Sequence, residues 1–158
     1  MFPEYILTNN GVTISTAISA LQLKAGTNGP IEILRCWATQ ASSTTSAQCS
    51  IGLVRKTAAA TVTAAVAGTT LNKQNPVNPA ADASLGTAAT GITATVEGTN
   101  GEIAHVEGFN VLSGFNYLPT PEERIIVPQG GIIALTFLDA PSSAKWYCCI
   151  HFRELRGG

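Results

Sequence analysis

The sequence predicts an all-β fold, an antiparallel sandwich or barrel formed by a single domain, and three observations lead to it. The side-chain pattern has a period of two, not 3.6: Ile31, Ile33, Arg35, Trp37 and Thr39 alternate with Glu32, Leu34, Cys36 and Ala38, a strand buried over much of both faces. Turn formers recur between short apolar segments, and no stretch carries a convincing helical face. A length of 158 residues fits one domain that can bury a core without metal or disulfide staples.

In chain order, residues 1–12 read as an N-terminal arm and residues 13–158 as the β domain. Thr13 to Ala25 carries scattered Val, Ile and Leu, and Gln48 to Val54 follows a Ser/Thr-rich loop at 42–46. In Thr61–Val66 the interleaved Thr and Val disfavour helix and suit strand. The two Asn-Pro steps of Asn72–Pro79 forbid regular structure and mark a long loop near 70–88. Asn100-Gly101 predicts a type I′ hairpin joining Thr93–Thr99 to Glu102–Val111, with Thr99 opposite Glu102 and Glu97 opposite Ala104. Phe115 to Glu123 is a connection stiffened by Pro119 and Pro121. Arg124–Val127 and Ile132–Leu138 read as strands around the turn Pro128-Gln129-Gly130-Gly131. Trp146–Phe152 closes the domain, and Arg153 to Gly158 exits to solvent. Trp37 and Trp146 read as core. About eight strands of this kind make the jelly roll a natural member of the class at this length. An immunoglobulin-type sandwich is the rival, but the Trp flanked by two bridging cysteines is missing.

Charged residues are 12% of the chain, about half the usual share of roughly 25%. Nine Lys and Arg against ten Asp and Glu leave a net charge of −1, too little field to hold a phosphate backbone or an anionic membrane. A surface this poor in charge tends to associate, so an oligomer is expected. The longest apolar run, Ile125 to Leu138, is broken by Pro128–Gly131, short of a membrane span. The start shows no secretory signal and reads as mature. Cys36, Cys49, Cys148 and Cys149 read as free thiols of a reducing compartment, with Cys148 and Cys149 on opposite faces of a strand.

Candidate chemistry is sparse. His105 and Glu107 share a strand face, but a cupin metal site would need a second histidine beside them and another after Pro128-Gln129-Gly130, so no metal and no cofactor are expected. His151 reads as a half-buried structural residue. Ser113 lacks the surroundings of a nucleophile. Glu97 and Glu102, flanking the expected hairpin, read as a solvated tip and not as a glycosidase pair, and Glu122-Glu123-Arg124 as a charged cap at a strand entrance. No catalysis is expected. Phe2, Tyr5, Phe109, Phe115 and Tyr117 are the candidate interface anchors, because aromatic residues dominate interface hot spots; Phe109 and Phe115 read equally well as caps on the core.

The stretch Glu123–Leu135, followed by Ala140-Pro141 and the aromatic closing strand with Glu154, resembles the end of small β-rich structural proteins of tailed bacteriophages. Capsid decoration, or cement, proteins fit best in size and composition. Together with the Ala/Thr/Gly-rich, charge-poor middle, which is similar in style, the resemblance spans about a third of the chain. It implies a jelly-roll subunit, commonly a homotrimer, made in the bacterial cytoplasm and seated on the outer capsid surface, where it bridges capsomers of the major capsid protein. The alternative is a carbohydrate-binding or adhesion module of a head or tail fibre. That would favour exposed Trp or Tyr beside acidic clusters, and the chain has two Trp and two Asp.

Overall fold

The computed structural model describes residues 2–83, 85 and 89–156. Residues 84 and 86–88 of the expected long loop, and 157–158 of the expected exit, lie outside them. The chain forms β1 (Glu4–Thr8), β2 (Val12–Ile14), β3 (Ser19–Lys24), β4 (Ile31–Gln40), β5 (Gln48–Ala58), β6 (Thr61–Ala64) and β7 (Leu71–Lys73). It continues through β8 (Gly91–Val96), β9 (Thr99–Asn110), β10 (Phe115–Tyr117), a 3-10 turn (Pro121–Glu123), β11 (Ile126–Val127), β12 (Ile132–Phe137) and β13 (Ala144–Glu154).

These strands make two antiparallel sheets packed as a sandwich. The first runs β10-β4-β13-β1-β7, with β11 also on β4 and β2 on β13; the second runs β6-β8-β3-β12-β5-β9. Pairing is nested, first strand with last: β1 with β13, β3 with β12, β4 with β10 and β5 with β9. Alternation does the rest. In β13, Trp146, Cys148, Ile150 and Phe152 are buried while Lys145 and Tyr147 face out, and Trp146 packs edge-on against Phe137 with ring centroids 5.0 Å apart.

Four expectations are corrected. Residues 1–12 are not an arm: β1 lies inside the first sheet, hydrogen-bonded to β13 on one side and β7 on the other. The alternation of Tyr5 and Leu7 was too short a signal to reveal it. Part of the long loop is ordered as β7, which satisfies the outer edge of β1. The C-terminal end does not simply leave the domain. Glu154 is buried, accepts hydrogen bonds from the backbone N–H groups of Asp82 and Ala83, and pairs with Arg156, which also donates to the Ala80 carbonyl.

The fourth concerns Asn100-Gly101. Neither residue takes a positive φ, and both lie inside β9, paired with β5. The pair β5:β9 continues past Ala58 and Gly98 as the pair β6:β8, so one long hairpin bends over the end of the second sheet until β8 lies on β3. At the bend a Cβ on Gly98 would stand 2.1 Å from the Ala58 carbonyl oxygen, which only glycine permits. The buried Gln22 amide fastens the bend. Its oxygen accepts from the Ala60 N–H at 2.8 Å, and its nitrogen donates to the Ala60 and Ala89 carbonyls at 3.2 and 2.6 Å. Gln22→Leu strands those buried groups and is expected to cost about 1–3 kcal/mol; an unchanged urea midpoint would show that the amide does not hold the bend.

Candidate functional site

Each sheet ends in an edge strand on the same side of the sandwich, β9 in the second and β10 in the first, and the seam between them is open. The register pairs Cys49 with Phe109, Ile51 with Glu107 and Leu53 with His105, so these three β9 residues point to the core side of their sheet. After β9 the chain turns at Gly114, whose φ of 76° suits glycine, and enters β10 with Phe115 and Tyr117 inward. The ring centroids of His105 and Tyr117 are 4.6 Å apart, and those of Phe109 and Phe115 6.2 Å apart. Phe109 also meets Trp146 edge-on.

This aromatic row fills the inner side of the seam. Outside it lies a cleft of about 470 Å³, with His105 and Glu107 on one wall and Tyr117, Leu118, Pro119 and Glu123 on the other. The imidazole Nε2 of His105 stands 3.5 Å from the Glu107 carboxylate, and the Tyr117 hydroxyl donates to the Glu123 carbonyl at 3.1 Å. Burial, with Cys36 and Glu123 nearby, raises the Tyr117 pKa, so the phenol stays a neutral donor. The cleft suits a cationic side chain between its two carboxylates. Among the described residues no three His, Cys, Asp or Glu side chains converge as metal ligands.

Of the five candidate anchors, only Phe2 presents its ring to solvent; the Arg153 guanidinium sits 5.8 Å from its centroid. Tyr5, Phe109, Phe115 and Tyr117 are buried within the chain. For Phe109 and Phe115 this corresponds to the core-cap reading. Tyr5 packs on Phe152 and donates its hydroxyl to the Pro79 carbonyl at 3.0 Å, pinning the loop after β7.

The outer face of the first sheet holds the residues that sequence reasoning missed. On β13, Lys145, Tyr147, Cys149, His151 and Arg153 point outward. Beside them on β4 come Thr39 opposite Tyr147, Trp37 opposite Cys149 and Arg35 opposite His151. Trp37 is only partly buried, not core as expected. A bulge between His151 and Phe152 makes Ile33 and Arg35 successive partners across the ladder, so the phase of β4 flips at Leu34: Ile31 and Ile33 face the core before it, Cys36 and Ala38 after it. The Arg35 guanidinium lies 4.9 Å from the Trp37 ring centroid and the Lys145 ammonium 5.7 Å from that of Tyr147, both within cation-π range. At one end Arg124 and Arg153 close over the Glu32 carboxylate. His151 lies 3.4 Å from Glu4, half-buried as expected. The signal was present in β13, where cations and aromatics occupy alternate positions.

Glu97 and Glu102 do not form a pair. Glu102 is exposed beside Arg55, while Glu97 accepts from the buried Lys56 ammonium at 2.6 Å and from the Ser19 hydroxyl at 2.9 Å. Lys56 also donates to Asn100. Burial alone would raise the Glu97 pKa, but these donors outweigh it and hold the carboxyl below its ordinary value of 4.5. All four cysteines are free thiols. Burial raises the pKa of each, and Cys149 alone is not fully buried. Comparison with protein-family models, curated proteins and solved structures finds no match for this chain.

Two outcomes follow from these environments. Because the folded pKa of Glu97 is depressed, its stabilising contribution is fully present above the unfolded value near 4.5 and disappears as pH falls through the folded value. Glu97→Gln is therefore expected to flatten the acid limb of the stability curve; an identical limb in the variant contradicts this role. In native protein a thiol reagent is expected to modify Cys149 slowly and the other three only after unfolding. Fast labelling that survives Cys149→Ser would contradict the burial pattern.

Proposed function

We propose that this chain is a non-catalytic structural subunit of a tailed-phage virion, which decorates the outer capsid surface as a trimer and stabilises the shell by bridging capsomers. The observation that carries the reading is the nested pairing β1:β13, β3:β12, β4:β10, β5:β9. Nesting of that order is what rolling up one long eight-stranded hairpin gives, so it supports the jelly-roll reading, an architecture of viral capsid domains that lectin and cupin domains also use. On that reading β6, β7 and β8 form an insertion between the fourth and fifth strands.

The surface supports the same reading. Strand β9 is a sheet edge of twelve residues that is exposed along most of its length and carries Ile103 and Val106 at 51% and 54% exposure. A long apolar edge is a liability for a solitary protein and an asset for one that packs against neighbours. A subunit that binds the assembled shell and not its dissociated parts stabilises it by mass action over many sites.

The adhesion-module reading is favoured by a single feature, the aromatic rings of Trp37 and Tyr147 on an open sheet face. The charged side chains over those rings are cations, Arg35 and Lys145, where a sugar site would set carboxylates beside its aromatic platform, so the capsid reading is preferred. Purified protein is expected to co-sediment with expanded phage heads, and heads lacking it to burst at a lower temperature than decorated heads. Equal burst temperatures, or no co-sedimentation, would contradict the proposal.

A further inference from the structure

Two surfaces of the molecule carry opposite and unsatisfied charge. On the outer face of the first sheet, Arg35 and Lys145 have no carboxylate partner among the described residues. Arg35 spends one N–H on the Asn116 side chain at 3.0 Å, which leaves the rest of its guanidinium fork open. Between these cations lie the rings of Trp37 and Tyr147. In the seam, neither Glu107 nor Glu123 has a Lys or Arg partner among the described residues, and Leu118, at the cleft, is 68% exposed. One patch has an aromatic centre with cationic flanks; the other has an apolar residue with acidic flanks.

We infer that the outer face of the first sheet docks into the seam cleft of a second copy of this chain. Arg35 and Lys145 meet Glu107 and Glu123, while Leu118 packs on Trp37 and Tyr147. Trp, Tyr and Arg are the residues that dominate binding energy at protein interfaces, and each cation already rests on its ring, so little side-chain order is lost on docking. A nucleic acid fits the face less well, because two unpaired cations supply too little charge to hold a run of phosphates. The two patches differ, so the contact runs head to tail, the arrangement that makes a ring when its rotation closes. The inference rests on the oligomeric part of the functional reading and names the surfaces that make it.

The test is the mass in solution, by light scattering, of the full chain and three variants. Arg35→Glu with Lys145→Glu, and separately Glu107→Lys with Glu123→Lys, are each expected to need at least about tenfold more protein to assemble; wild-type assembly is expected to weaken similarly in about 1 M salt. All four substitutions together recreate complementary charge and are expected to restore the oligomer. Circular dichroism and urea midpoints verify folding. If a charge reversal unfolds the chain, Lys145→Gln and Glu107→Gln take its place, each expected to weaken assembly several-fold. An oligomer unaffected by either pair, or one that the fourfold variant fails to restore, overturns the contact and leaves the oligomer and the capsid reading standing. A wild-type monomer at all concentrations overturns the oligomer as well. An assembled wild type that ignores phage heads strikes the capsid reading alone.

Discussion

Backbone pairing of β13 on both sides is the constraint on which the rest of the molecule depends. Its N–H and C=O groups are taken up by β4 from Trp146 to Glu154, and by β2 and then β1 on the other edge. With both ladders fixed, a shift of one residue would exchange every inward side chain for an outward one. The register therefore decides two things at once: Trp146, Cys148, Ile150 and Phe152 become core, and Lys145, Tyr147, Cys149, His151 and Arg153 become surface. Core and outer face are two readings of one alternation.

Charge is used sparingly and in a few places. Lys56 and Glu97 bind the bend of the long hairpin, Glu32 ties Arg124 to Arg153, and Glu154 with Arg156 fastens the loop around Ala80–Ala83 to the end of β13. Each of these pairs joins segments far apart in sequence. Of the charges left over, Arg35 and Lys145 lie on the sheet face and Glu107 and Glu123 at the seam, while Lys24 on β3, Lys73 on β7 and Asp139 after β12 lie elsewhere. A net charge near zero thus conceals a molecule with two differently charged surfaces.

The strands with strong local patterns were legible in the sequence. The alternation of Ile31–Thr39 and of Trp146–Phe152, and the Pro128–Gly131 turn before β12, needed no tertiary knowledge. The failures share a cause in long-range pairing. Asn100-Gly101 has the composition of a hairpin turn, but β5 offered β9 a longer ladder, and Asn100 serves instead as an acceptor for Lys56. Trp37 changed sides because a bulge flipped the phase of β4, which no period count through Ile31–Thr39 detects. Tyr5 and Leu7 looked like an arm because their partners lie at the other end of the chain. Of the candidate site, the sequence pointed to Phe115 and Tyr117 but not to the cleft they back, since β9 and β10 meet only through the folding of two sheets.

The most direct examination of the central claim is an electron-microscopic difference map between phage heads with and without this protein. A subunit of the proposed kind adds discrete three-lobed density at regular sites on the outer surface of the shell, between neighbouring capsomers. Identical maps, or added density confined to the tail or its fibres, would contradict it.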